Sequence, residues 1–300
     1  MKNLNGLYEG MSNEEYHAAP GLSNTGLTEL ARSPWHYYSR FLDPSRPERE
    51  RKAGQFEGTI AHCAILEPNE FMRRYVVTPS NAPRRPTAAQ WNAKNPSPES
   101  VQAMAWWSNW EAENEGREVV SHDDYSRVLR QAESVRRIRE VRELFEHGKA
   151  ELSAFATADG VLKKCRPDWT AHVGAGDVIL IDVKTVGDAK PDEMARHIGR
   201  KGYYRQAAHY WRTFEQASGL RVAAFKFLAV ESEWPYAASL TQLDDVSLQV
   251  SMEEVRDLTA LYAECLKAGR WPGYDEAQVV SLPAYLFNEE QTQIEVEYVG

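Results

Sequence analysis

The stretch Val178-Ile179-Leu180-Ile181-Asp182-Val183-Lys184-Thr185 decides how this chain is read. Four consecutive apolar residues, preceded by Gly174-Ala175-Gly176, spell a buried central strand. Asp182 and Lys184 then interrupt it, two residues apart and therefore on one face of an extended chain. An acid and an amine inside a core element are costly unless something binds them, and such a conflict marks a functional site. Taken alone, Asp-x-Lys reads better as a salt bridge at a strand end. The sequence one glycine turn upstream changes that balance. There Cys165-Arg166-Pro167-Asp168-Trp169 places Asp168 on the preceding strand, so antiparallel pairing brings two carboxylates together. Two such groups repel unless a cation lies between them. Hard oxygen ligands with room for water and phosphate are what Mg²⁺ requires.

Working outward, residues 151–157, 161–173 and 177–185 read as three strands of an antiparallel meander, with Asp159-Gly160 as the first turn. Glu151, at the head of the first strand, offers a third carboxylate. Upstream, a helix from near Gly58 to Leu66 stops before Pro68 and carries Gly58-Thr59-Ile60-Ala61-His62. Gly58 and His62 share a face at i, i+4, so the missing side chain leaves room for close approach. A lone helical His is usually a core or surface residue, and His62 gains interest only as an extra metal ligand beside the carboxylates. Downstream, residues 190–217 form a long helix with Gln206 and Tyr210 at the same spacing. Tyr203, Ala207, Trp211 and Phe214 mark much of that face as packing, and for Tyr210 a core role competes evenly with a functional one.

Helices are also expected over 22–41 (interrupted at Ser33-Pro34), 122–145 and 252–267, with a further strand at 222–230. Residues 78–118, rich in proline and carrying Trp91, Trp106, Trp107 and Trp110, read as a long irregular, partly mobile loop with one short helix. The economical architecture is α/β, one mixed central sheet flanked by helices. Residues 1–287 form a single domain and 288–300 an acidic tail, where Ile294, Val296 and Tyr298 alternate with Glu295 and Glu297.

At 300 residues, with 42% hydrophobic and 26% charged residues, the chain can bury a substantial core without disulfides. Its three cysteines form no CxxC pair, which speaks against a zinc knuckle or a disulfide framework. The first residues lack the apolar region of a signal peptide and no stretch is long and apolar enough to span a bilayer, so a cytoplasmic protein is expected. A net charge of −9 is a weak argument against a nucleic-acid partner. Six acids and no Lys or Arg follow Arg270, and they account for the difference from −3 over residues 1–270. Contact with DNA depends on where the basic groups lie.

The order Gly-x-x-x-His, Glu, Arg-Pro-Asp, Asp-Val-Lys and Gln-x-x-x-Tyr resembles the PD-(D/E)xK nuclease superfamily. More closely it resembles the RecB-like branch and, within it, the RecE-type exonucleases (exodeoxyribonuclease VIII and its phage relatives). SNEEYH, LSNTGLTELARSPWHYY, GTIAHCAILEP, CRPDW, IDVKT and SLPAYL carry the likeness, from about residue 10 to residue 287. The resemblance implies a restriction-endonuclease-like core and two Mg²⁺ ions, or Mn²⁺. Asp168 and Asp182 would bind metal with help from the Val183 carbonyl. His62 would complete a second metal site and Glu151 would hold metal or its water. Lys184 would orient the attacking water, while Gln206 and Tyr210 would support the site and contact DNA. An iron–sulfur cluster is not implied, because the four-cysteine pattern of some RecB-like relatives is missing.

The implied activity is 5′-to-3′ digestion of double-stranded DNA from its ends, giving 5′-mononucleotides and 3′ single-stranded tails for a strand-annealing recombinase. The implied assembly is a homo-oligomeric ring, a tetramer favoured, that encloses DNA. Arg84, Arg85, Arg136 and Arg137 would line the DNA path, although for the helix arginines a solvated face is the better explanation. The loop tryptophans would stack on bases or fill a subunit interface. Two alternatives stay open: a structure-specific or single-strand nuclease of the same superfamily, and a catalytically inactive DNA-binding module.

Overall fold

The apolar run becomes the strand Asp177–Val186, third of five in a mixed sheet. Its order is Ala238–Gln242, Arg221–Glu231, Asp177–Val186, Trp169–His172, Gly148–Ala150. The central strand runs parallel to Arg221–Glu231 and antiparallel to Trp169–His172. Both sheet faces are covered, which is why the strand is continuously apolar and does not alternate. On one face Ile181, Val183, Leu228 and Val230 pack against Ile60, Val128 and Val135 from the helices Gln55–Leu66 and His122–Arg137. On the other, Leu180, Phe225 and Phe227 meet Met194, Ile198, Ala207 and Phe214 from Pro191–Lys201 and Tyr203–Ser218. Asp182 and Lys184 alternate with Ile181 and Val183, so they belong to this second face. The computed structural model describes residues 4–47, 55–174 and 176–282.

A second, three-stranded antiparallel sheet is built from Gly6–Tyr8, Ser153–Ala158 and Val161–Cys165. A third apolar cluster joins Leu22, Leu27, Leu30 and Tyr37 near the N-terminus to Val161, Ala208 and Val255, the last on the helix Asp245–Ala268. The mixed sheet flanked by helices is therefore as the sequence indicates.

Several boundaries differ from the sequence reading. The expected strand over 161–173 ends at Cys165, and Trp169–His172 is a separate strand in the other sheet. Pro167 has no N–H for a ladder, and Arg166-Pro167-Asp168 carries the chain from one sheet into the next. The three strands are consequently two hairpins in two sheets. Glu151 stands at no strand head; it occupies a left-handed turn, φ 52°, between Gly148–Ala150 and Ser153–Ala158. The long helix over 190–217 divides at Gly202, whose φ of 68° ends one helix and admits the next. That over 122–145 divides at the extended Ile138, giving His122–Arg137 and Arg139–Glu146.

Residues 78–118 are not an irregular loop. They hold the helices Ala88–Trp91 and Pro98–Glu113, the second capped by Ser97 with Pro98 in its first turn. Trp107 and Trp110 are buried, and the Trp107 indole donates to the Pro83 carbonyl at 3.0 Å. The prolines cluster ahead of the helix and mask it, while its period rests on tryptophans packed edge-on and stacked against each other. Ala238–Gln242, short and half-exposed at a sheet edge, gave no clear periodic signal. Among the described residues no helix is long and apolar enough to cross a membrane. The acidic tail lies outside the described residues, as does most of SLPAYL.

Candidate active site

Asp168 stands where the chain crosses between sheets, and its backbone carbonyl accepts from the Glu151 N–H at 3.0 Å. Its Oδ2 accepts from the Val183 N–H at 2.7 Å, a bond that fixes the acid against the central strand. Asp182, only 3% exposed, points from that strand toward the helix Tyr203–Ser218. Gln206 Nε2 donates to Asp182 Oδ1 at 2.5 Å, and Lys184 Nζ donates to Gln206 Oε1 at 3.1 Å. Lys184 also pairs directly with Asp182 Oδ2. One carboxamide thus holds the acid and the amine together, donating to one and accepting from the other. The Lys184 ammonium lies 4.2 Å over the Tyr203 ring. From the opposite layer, His62 Nδ1 comes to 3.5 Å from Asp168 Oδ2.

The electrostatics match a crowded set of acids. Burial first, and then the Asp182 charge, push the Asp168 carboxyl up to about 6 despite His62, Lys184 and the Val183 N–H. Burial and Asp168 likewise push Glu151 up to about 7, opposed by the Arg166 guanidinium 3.6 Å away. Glu151 is 38% exposed, so solvent screens part of that effect. Burial works against the Lys184 charge, but Asp182 and Asp168 outweigh it and hold the ammonium above its ordinary range. Burial, with Tyr16 and the same two acids among the smaller causes, keeps the Tyr210 hydroxyl protonated far above its usual range.

These residues fit a hard divalent cation by chemistry. Three acids, Asp182 buried and Asp168 and Glu151 partly so, crowd against the cations Lys184 and Arg166, and Asp182 Oδ2 is buried without a hydrogen bond beyond its ion pair with Lys184. The arrangement is not that of a closed metal cage. Among the described residues no three His, Cys, Asp or Glu side chains are grouped for one ion. Lys184 sits on the Asp182 oxygen that a cation would use, so metal binding would require the ammonium to release it.

Direct contacts thus join Asp182, Lys184 and Gln206 in one group and His62 and Asp168 in another, and the Val183 N–H bonded to Asp168 links the two. Glu151 joins through the backbone and by its charge. Val183, expected to act through its carbonyl, contributes its N–H here and stands opposite Leu228 in the ladder. Tyr210 packs in the apolar layer, its ring 5.9 Å from Phe225. A Cβ at Gly58 would meet nothing within 4 Å, so no described residue uses the space expected there. Arg85 is tied to Glu111 and stacked over Trp107 at 4.8 Å, and Arg137 pairs with Glu133 at 3.0 Å.

Sequence reasoning gave no role to Arg166, which the structure buries beside Glu151. Its guanidinium donates to Ser153 Oγ at 2.8 Å, Asn13 Oδ1 at 3.0 Å and the Met11 carbonyl at 2.7 Å, and lies 4.4 Å over the Tyr16 ring. It clamps the N-terminal segment and the Glu151 turn to the crossing strand. An arginine beside Cys165 and Pro167 in a buried segment was the available signal.

The model of a family described as a PDDEXK-like domain of unknown function (DUF3799) matches residues 23–282. A crystal structure from Eubacterium rectale, described as a "Putative exonuclease", superposes with a TM-score of 0.54 at 11% identity, covering 96% of this chain and 100% of that one. The crystal structure of SSO0001 aligns over 54% of this chain and 69% of that one, at 15% identity and a TM-score of 0.27, too slight a likeness to carry weight. No curated protein matches the sequence. The matched span takes in His62, Glu151, Asp168, Asp182, Lys184, Gln206 and Tyr210, and on this evidence the chain belongs to the PDDEXK-like domain family.

Proposed function

We propose that this protein is a divalent-metal-dependent DNA nuclease, and within that class an exonuclease of the RecE type. The observation that carries the reading is the juxtaposition of Asp182 and Lys184, held together by the Gln206 carboxamide, with Asp168, which is bonded to the N–H of the intervening Val183. Asp168, Asp182 and Glu151 are the residues that would hold Mg²⁺ or Mn²⁺, with the Val183 carbonyl and His62 completing the donor set. Such an ion, singly or as a pair, supplies positive charge for the phosphate and lowers the pKa of water at neutral pH.

The chain's own groups then have defined tasks. Lys184, fully charged, is placed to hold the attacking water or a non-bridging phosphate oxygen as charge develops. Gln206 fixes the direction of that ammonium and keeps Asp182 Oδ1 from turning away. Glu151, more exposed than Asp168 and Asp182, faces the solvent side, where it would hold metal or its water. Tyr210, kept neutral, packs beside them and bears no charge that would compete for a cation.

The order of motifs over nearly the whole chain supports duplex ends as substrate, 5′-to-3′ polarity, 5′-mononucleotide products and 3′ tails passed to an annealing recombinase. A closed ring, with four subunits, would let an acidic protein stay on DNA. The test is digestion of linear duplexes labelled separately at the 5′ and 3′ ends, beside closed circular DNA. Early release of the 5′ label with circles intact is expected. Cutting of circles would give the structure-specific alternative, and binding without cleavage at any metal concentration would give the inactive module.

A further inference from the structure

The last turn of the helix Pro191–Lys201 ends beside the site with its cations unneutralised. His197, Arg200 and Lys201 follow i, i+3, i+4 spacing and share one face. The His197 ring lies 5.5 Å from the Tyr203 ring, and that ring carries the Lys184 ammonium at 4.2 Å. Contacts therefore run from the Asp182–Lys184 pair through Tyr203 to His197, and the exposed Arg200 and Lys201 follow His197 by one helical turn. After burial, the charges of Lys201, Arg200 and Lys184 hold His197 below its ordinary range, which places all four within electrostatic reach.

Cations on the adjoining segments are each paired: Lys190 with Asp192, Arg196 with Glu193, Arg205 with Glu254, Arg212 with Glu215. Arg200 and Lys201 make no ion pair among the described residues. Complementing the helix dipole accounts for basic residues in a last turn. It does not account for the aromatic step to Lys184, nor for two unpaired cations together on a chain of net charge −9.

We propose that His197, Arg200 and Lys201, with the Tyr203 ring, form an anion subsite that seats a phosphate of the nucleic-acid strand entering the site. Either a terminal 5′-phosphate or a backbone phosphodiester beside the scissile one has the required chemistry. This rests on the nuclease reading. Arg200 offers a planar fork to the phosphate oxygens and Lys201 a point charge. Tyr203, with the Lys184 ammonium over its ring and the His197 ring beside it, ties the subsite to the Asp182–Lys184 pair.

The test is fluorescence anisotropy of the full chain with a labelled blunt duplex, bearing either a 5′-phosphate or a 5′-hydroxyl, in EDTA across a salt series. The wild type is compared with R200Q/K201Q and with R212Q, which removes an exposed charge elsewhere; circular dichroism melting verifies the fold of each. For the double variant, a rise in Kd of about tenfold or more and a loss of about two in the salt slope are expected, since each phosphate contact contributes about 0.9. R212Q should match the wild type. Loss of a preference for the 5′-phosphate identifies the terminal group as ligand, and equal loss on both duplexes identifies the backbone. Wild-type affinity and slope in R200Q/K201Q would overturn the subsite while a cleaving wild type leaves the nuclease reading intact. A wild type that neither binds nor cleaves would overturn both.

Discussion

At the scale of the residue, Asp182 is the pivot: nearly fully buried, bonded to Gln206 through one oxygen and ion-paired with Lys184 through the other. Because Lys184 competes for the oxygen a cation would use, the two substitutions at this pair should act in opposite directions on metal affinity. Asp182→Asn should abolish Mn²⁺ binding in calorimetry, whereas Lys184→Gln should bind Mn²⁺ at least as tightly as the wild type. Cleavage by Lys184→Gln should nevertheless fall by about 10²–10³-fold, the usual loss for a charge-stabilising donor. Weaker Mn²⁺ binding by Lys184→Gln would show that the ammonium supports the metal and does not compete for its place. Asp168 gives a pH dependence of definite sign. With its carboxyl at about 6 when folded and at an ordinary 3.8 otherwise, the folded chain holds a proton that the unfolded chain has released. Metal-free stability should therefore decline as pH rises from about 4 through about 6. A cation relieves that penalty only once the acid is ionised, so Mg²⁺ should raise Tm more at pH 8 than at pH 5, and an equal rise would contradict the assignment. Asp168, Asp182, Lys184 and Gln206 were legible because charged and polar groups stood out at defined spacing against an apolar strand and helix. The Glu151 turn and the Arg166 clamp were not, since a left-handed backbone and contacts to residues 11–16 leave no periodic trace.

At the scale of the element, the sheet depends on how closely its edge strand can approach. A Cβ at Gly148 would lie 2.5 Å from the Thr170 carbonyl and 2.5 Å from the Trp169 indole nitrogen, whose N–H already donates to the Leu144 carbonyl at 3.0 Å. Neither obstacle is the end of a flexible side chain, so Gly148→Ala should destabilise by about 1–3 kcal/mol, read from urea unfolding. Unchanged stability would mean that the edge strand can shift without cost. The strand Asp177–Val186 and the helix Gln55–Leu66 lie close to where their apolar patterns put them. The helix Pro98–Glu113 was hidden for a physical reason: prolines ahead of it mimic a loop, and its inward face is tryptophan packed on tryptophan. The crossing at Arg166-Pro167-Asp168 was misread because both flanking strands are largely buried and only these three residues separate them.

At the scale of the whole molecule, the mixed sheet sets the site between two layers. The helix carrying His62 covers one face, and the helix carrying Gln206 covers the other. At Asp168, where the chain leaves one sheet for the next, His62 from one layer meets the strand whose Asp182 and Lys184 face the other. The sequence reading had already put these residues at one place, whereas the crossing between sheets that allows it was not in the pattern. Light scattering checks the proposed ring: a mass near four times the 34.1 kDa chain is expected, and a monomer would remove the topological argument for an acidic exonuclease. The central claim is tested most directly by hydrolysis of a linear DNA duplex by the purified chain, with Mg²⁺ and with EDTA, alongside Asp182→Ala. Mononucleotide release that needs the metal and is absent from the variant is the predicted result. Release that persists in EDTA or in Asp182→Ala would contradict the account.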